Sequence, residues 1–427
     1  MDSVQYQRYL QILFQELIPA LGCTEPIAIA YTSAKARELL VSTPEQIDVY
    51  CSGNIIKNTQ SVTVPNSGGM RGIAAAAALG AIGGNPSAKL EVLENIAPQE
   101  LALARELLSA SRCSCHLQQN VPSLYIRVEM KSGGHCAKAA VAHEHTKIVF
   151  LEKDGEILFS EDALSPEESC ADPRSFLNVQ DILTFAQQVK GDDIRDLMER
   201  QIQMNTAISS EGLSRSYGAR VGKTLLTTFG RHVEIRACAA AAAGSDARMN
   251  GCPLPVVINS GSGNQGMTCS LPVIEYAKEW NVSRETLHRA LVISNLISIH
   301  QKSEIGPLSA YCGAVSAACG AGAAIAWLSG GDYEAISQTI TNTIVNIGGM
   351  LCDGAKSSCA AKIAAAVNAA ILAFTLEKNG CSFHPGEGLV GRNVEHTIHN
   401  LSHVGKEGMK ETDLTILNLM LGREGSS

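Results

Sequence analysis

The sequence predicts an α+β protein: a front region, residues 1–175, containing a small antiparallel sheet, and a large all-helical rear domain, residues 176–427. Three observations predict it. Between residues 117 and 160 apolar and polar positions alternate and turns are frequent (SLYIRVEM, HCAKAAVAH, TKIVFLEKDGEILF), the period-two signature of strands. From about residue 178 onward apolar residues recur at helical spacing, punctuated by glycines. The length, 427 residues, exceeds what one core usually spans, so two subdomains are expected.

In chain order, residues 4–18 are expected to form an amphipathic helix with Tyr9, Leu10, Leu13 and Leu17 on one face. In LGCTEPIAIAYTSAKARELL, Pro26 suits a first helical turn and Thr24 an N-cap. That sets Cys23 just ahead of a helix N-terminus, where the dipole favours a thiolate. Residues 46–65 look extended, and helix returns at about 70–83. EKDGEI reads as a hairpin turn, and the acidic, Ser/Pro-containing stretch 160–175 as a linker. Helices are then expected over 192–208, 218–229, 233–243, 265–280, 283–300, 308–328, 332–347 and 355–378, with a further pair near the C-terminus. Gly330, the Gly348–Gly349 pair and Gly380 fall where helix C-caps are expected.

Composition narrows the function. Aromatics make up only 4% of the chain, so the core must be closely packed from small residues. Lys plus Arg is 34 and Asp plus Glu is 42, a net charge of −8, which offers no electrostatic reason to bind nucleic acid. The N-terminus lacks the continuous apolar stretch of a secretory signal, and no run of about 18 uninterrupted apolar residues suggests a membrane span. A cytoplasmic protein with reduced thiols is the expectation, so the 14 cysteines read as packing residues with a few ligands among them rather than as a disulfide framework. The oligomeric state is open, a homo-oligomer included.

Two Gly-rich turns precede helices: Asn66, Ser67, Gly68 and Gly69, and Ser260, Gly261, Ser262, Gly263 and Asn264. Such turns present backbone N–H groups at a positive helix end and can bind a carboxylate or phosphate, or they are simply tight turns. Neither is a Walker loop or a dinucleotide fingerprint. The two stretches, VTVPNSGGMRGI and VVINSGSGNQGM, echo each other, as a duplication or as two similar turns.

Cys312 and Cys352 each have a second cysteine seven residues on, Cys319 and Cys359. None is a CxxC pair, which excludes zinc ribbons and two-cluster ferredoxin patterns. Cys312 and Cys352 are placed at helix starts beside glycine, as is Cys23. Cys319 and Cys359 fall a turn or two inside, among alanines, and look like packing residues. Ligation and plain helix packing both remain open on spacing alone. For acid–base work the candidates are His300, Lys302 and Glu304 in HQKSEIG, Lys356 one turn beyond Cys352, and Lys57. His135, Cys136, His143 and His145 would share the sheet, the three histidines on one strand face, as solvated residues or a zinc site.

GCTEP (22–26), CGA (312–314), GGMLCDGAK (348–356) and GMKETDLTIL (408–417) closely resemble the cysteine desulfidase family, which is related to the catalytic chain of bacterial iron–sulfur L-serine dehydratases. The resemblance runs over nearly the whole chain. It implies a [4Fe–4S] cluster on three cysteines, mapping onto Cys23, Cys312 and Cys352. It also implies a lyase that turns a small amino acid, L-cysteine, into pyruvate, ammonia and hydrogen sulfide. GCTEP at the front favours cysteine over serine as substrate. The alternatives are an L-serine dehydratase with the same cluster, a pyridoxal-phosphate lyase with Lys57 or Lys356 as Schiff-base lysine, and a non-catalytic small-molecule-binding or scaffold protein.

Overall fold

The computed structural model describes residues 1–161, 172–306 and 308–423. Most of the stretch read as a linker, 162–171, lies outside the described residues. The chain opens with helix α1 (Ser3–Glu16), strand β1 (Pro19–Leu21) and helix α2 (Thr24–Leu40). Strand β2 (Gln46–Cys51), helices α3 (Gly53–Thr59), α4 (Gly72–Gly83) and α5 (Pro98–Ser109), and strands β3 (Cys113–Leu117), β4 (Tyr125–Ser132), β5 (His135–Ala142), β6 (Ile148–Lys153) and β7 (Glu156–Ser160) follow. The rest is helical apart from β8 (Pro255–Val257). It comprises α6 (Val179–Gln188), α7 (Gly191–Ser214), α8 (Val221–Phe229), α9 (Val233–Met249), α10 (Gly263–Glu279), α11 (Arg284–Ile305), α12 (Gly313–Leu328), α13 (Tyr333–Ile347), α14 (Cys359–Lys378), α15 (Val394–His403) and α16 (Lys410–Met420). The α+β architecture, sheet in front and helices behind, is as expected.

The sheet has six strands in the order β3-β2-β4-β5-β6-β7. Only β2 and β3 are parallel, because α3, α4 and α5 form the crossover between them. β2 also pairs antiparallel with β4, and β4 to β7 are antiparallel neighbours in chain order. Asp154 and Gly155 both take positive φ, 51° and 87°, as the two-residue turn of EKDGEI requires. Ile126, Val128 and Met130 alternate into the core, where the sheet packs on α2.

One expectation fails locally. Residues 46–65 are not extended throughout, since the strand ends at Cys51 and α3 begins at Gly53. Ile55, Ile56 and Thr59 bury one helical face there, and helical packing overrides the strand preference of β-branched residues.

The rear helices approach each other closely because small residues face each other. A Cβ on Gly212 would lie 2.0 Å from the Ala243 carbonyl oxygen, and one on Gly320 would lie 2.2 Å from that of Ser294. Gly320→Ala is therefore expected to destabilise the protein. Alanine gains about 1 kcal/mol in helix propensity. Forcing a methyl into a backbone carbonyl that cannot swing aside costs about 3 kcal/mol, at the upper end for overpacking. A thermal melt should show a net loss of about 2 kcal/mol, and an unchanged midpoint would contradict this account of the α11–α12 contact.

Among the described residues one helix, α14, is long and apolar enough to cross a membrane. It packs against α9, α12 and α13 and carries Asn368 and Thr375 on its exposed side. The front of the chain is tied to the rear by a two-stranded pairing of β1 with β8, Pro19 opposite Val257 and Leu21 opposite Pro255. An apolar core runs without a break from Tyr9 to Leu417.

Candidate active site

The β1–β8 pairing decides where the site forms. Two residues after β1 comes Cys23, and three residues after β8 comes Ser260, so one short ladder sets the GCTEP turn beside the Ser260–Asn264 turn. The second turn is held from behind by a buried amide network. Gln201 and Asn295 donate to each other, at 3.0 and 2.9 Å, and Asn259 donates to the Asn295 side-chain oxygen at 3.0 Å. Ser260 donates to Asn259 at 2.9 Å, which fixes the turn to that network.

A second short pairing brings up the remaining cysteines. Tyr311 bridges Leu351, the Cys312 N–H donates to the Met350 carbonyl at 3.1 Å, and the Cys352 N–H donates to that of Ala310 at 2.6 Å. Cys312 is the N-cap residue of α12, and Cys23 is the N-cap residue of α2 in place of the expected Thr24. Cys352 is not at a helix start. It lies in the loop before α14, whose first residue is Cys359. Asp353 holds that loop by accepting from Lys362 and from Lys356. Burial works against its ionisation, but the two ammonium groups outweigh it and hold the carboxyl at about 2.

These elements line one cavity of about 110 Å³. By the same measure a single water needs about 10–15 Å³, so the space suits a small metabolite. Cys23, Cys312, Cys352, Lys302, Ser260, Gly261, Ser262 and Asn264 all line it, as do Glu25, Asn58, His145, Arg248, Gln265 and Cys359. Gly263 lies against Arg248 and Val256 instead. Cys359 is thus a fourth thiol on the wall, whereas Cys319 is fully buried within α12.

The other sequence candidates are placed elsewhere. The Asn66–Gly69 turn does not line this cavity, which corrects the expectation that both Gly-rich turns would. Asn66 donates to the carbonyls of Leu93 and Glu94, Ser67 to that of Met70, and Arg105 to that of Gly68. These bonds close the turn on itself and on the chain before and within α5, and Gly69 faces open space. His300 points away and pairs with Glu395 at 2.7 Å. Lys356 turns back to Asp353 and its carbonyl neighbours. Lys57 is buried in an ion pair with Asp413 of α16, so neither Lys57 nor Lys356 is poised as a Schiff-base lysine. Glu304 pairs with His399 near the surface, at 3.1 Å. The histidine cluster is dispersed because β5 ends at Ala142. His135 pairs with exposed Asp154, His143 turns at φ 68°, and only His145 reaches the cavity.

Burial decides the protonation of the thiols. A helix N-terminus favours an anion by only about 0.3–1 kcal/mol, whereas desolvation pushes Cys312 from 9.0 to about 12. Burial, and then the Glu25 carboxylate, also raise the Cys23 thiol, and burial raises Cys359. The dipole-stabilised thiolate expected at Cys23 is thus overridden. Cys23 donates to Glu25 at 3.0 Å. Burial likewise draws the Lys302 ammonium down to about 8, against the upward pull of the Cys352 and Cys312 thiols. Among the described residues Lys302 has no carboxylate within ion-pair distance.

The donor set is soft. Thiols suit iron–sulfur clusters and other thiophilic metals. Among the described residues no three His, Cys, Asp or Glu side chains converge to hold a single metal ion.

Residues 87–418 match the profile described as the serine dehydratase alpha chain. The chain is also similar to a UPF0597 protein of Lachnoclostridium phytofermentans, 53% identical over 97% of this chain and 100% of that one. A UPF0597 protein of Desulfitobacterium hafniense is 49% identical over 98% and 97% of the two chains. One of Aeromonas hydrophila is 40% identical over 99% and 98%.

Proposed function

Because the chain belongs to the serine dehydratase alpha chain family, a family of lyases, we propose that it carries out α,β-elimination on L-cysteine, giving pyruvate, ammonia and hydrogen sulfide. The observation that supports this reading best is the meeting of Cys23, Cys312 and Cys352 with Lys302 and a Gly-rich helix start around one cavity, from positions scattered along the chain. Cys23, Cys312 and Cys352 would hold a [4Fe–4S] cluster. When bound, the cluster supplies a Lewis-acidic iron for the departing sulfur.

The chain's own groups do the rest. Backbone N–H groups at the start of α10, with Ser260 and Asn264, orient the substrate. Lys302, drawn down towards neutrality by burial, accepts the Cα proton as its neutral amine. The C–H electron pair becomes the Cα–Cβ double bond, and the C–S pair leaves with sulfur as hydrosulfide. The aminoacrylate so released tautomerises and hydrolyses to pyruvate and ammonia without further catalysis.

The test is an assay of anaerobically purified protein with L-cysteine and L-serine side by side. Sulfide and pyruvate should appear in equal amounts from L-cysteine, with kcat/KM well above that for L-serine. A preference for serine would favour the second reading, an L-serine dehydratase, which the family description itself supports. No pyruvate from either amino acid, with iron fully present, would overturn both.

A further inference from the structure

Arg248 sits at the end of α9 with its side chain only 2% exposed, yet it is not internally satisfied. Its Nη1 donates to the Asn264 side-chain oxygen at 3.2 Å. Its Nε and Nη2 are buried and have no hydrogen-bond partner among the described residues. No Asp or Glu of the described residues lies within ion-pair distance of it, although Glu25 lines the same cavity. A buried guanidinium without a counter-ion is costly and persists only if something that binds there completes it.

The geometry of the unpaired atoms says what that is. Nε–H and the nearer Nη2–H point the same way, as two prongs that donate in parallel to both oxygens of a carboxylate. The occupied Nη1 fixes the rotation of that fork. The surroundings are built to leave it room, since a Cβ on Gly263 would fall 2.4 Å from Nε. His145, whose Nε2 is also buried without a partner, lies across the turn against Gly261.

We propose that Arg248 is the anchor for the substrate α-carboxylate, gripping it side-on through Nε and Nη2, with the Ser260–Asn264 turn supplying the orienting contacts. The assignment rests on the lyase reading for the identity of the acid, not for the presence of a carboxylate. It restricts substrates to free α-carboxylic acids: amides, esters and peptidyl residues are excluded because they leave the fork half-filled.

The test uses anaerobically purified, iron-loaded protein. L-Alanine, which has no leaving group, and L-alaninamide are titrated into wild type by calorimetry, and propionate serves as the minimal acid. Wild type should bind L-alanine and propionate but not the amide. Arg248→Met should keep its iron, raise KM for L-cysteine about a hundredfold with a much smaller change in kcat, and lose propionate binding. Added methylguanidinium should restore part of the loss, and Arg248→Lys should fall between. Equal binding of alanine and alaninamide by wild type would overturn the anchor, with no variant needed. So would an unchanged KM in Arg248→Met, or loss of iron with KM unchanged in the loaded fraction, which would make Arg248 a counter-ion of the thiols instead. If wild type turns over no amino acid, the lyase reading fails by itself. The anchor then stands or falls on whether wild type, and not Arg248→Met, binds propionate.

Discussion

Changing Cys23, Cys312 or Cys352 singly to alanine is expected to strip iron from the anaerobically isolated protein, from about four atoms per chain to near zero, and to abolish turnover. The three thiols come from three different elements and line one cavity. Burial keeps the Cys23 and Cys312 thiols protonated, so metal binding must release protons, and loading should weaken as pH falls. The control is Cys319→Ala, buried in α12 away from the cavity, which should keep its iron and lose only about 1 kcal/mol of packing. Cys359→Ala is the sharper comparison, because Cys359 shares the wall. If three thiols suffice, its iron and activity stay near wild type. Full iron in Cys23→Ala would sink the ligand assignment. Loss in Cys359→Ala as deep as in the others would replace a three-thiol site with a four-thiol one.

The second large effect is at Lys302. Lys302→Met keeps the stem and removes the amine, and kcat should fall roughly 100- to 10,000-fold, the range for loss of a general base. Iron content should be unchanged. The thermal midpoint should hold or rise, because the substitution removes an almost fully buried ammonium that has no carboxylate partner among the described residues. Activity lost together with stability would mean that Lys302 holds the fold instead. Preserved turnover would exclude it as the base. His300→Ala and Lys356→Ala should give the reverse pattern, since His300 is paired to Glu395 and Lys356 to Asp353, outside the cavity.

Much of the site is legible from local chemistry. A cysteine beside glycine at a helix start is visible in GCTEP and around Cys312, and a Gly-rich turn before α10 is visible in SGSGN. The parts that escape are those set by long-range pairing. The β1 and β8 strands are three residues each, too short for any period to register, yet they join the front of the chain to the rear. His145 reaches the cavity only because β5 ends at Ala142, and the strand pattern alone would have carried it onto the sheet face with His135. Arg248 is hidden differently. It ends an Ala-rich run that reads as core helix, and a charge at full burial in such a run is itself the signal. The Asn66 turn shows the opposite error, because its likeness to the Ser260 turn is real in sequence but its donors and carbonyls are consumed locally. Cys359 is misread because the start of α14 depends on how Asp353 pins the loop through two lysines, not on helical spacing.

The ladder between β1 and β8 also sets the order of events during biosynthesis. Cys23 and Cys352 are 352 − 23 = 329 residues apart. At a translation rate of about 5–20 residues per second, the first leaves the ribosome roughly 16–66 s before the second. For the first part of that interval α2 lacks β8, and until Leu351 is made it also lacks the Tyr311–Leu351 bridge. On the proposed cluster reading, its three cysteines exist together only once Cys352 has been made. On that reading loading cannot be completed before Cys352 is made, and a chain cut short ahead of it would remain unloaded, with a bare cysteine at its front.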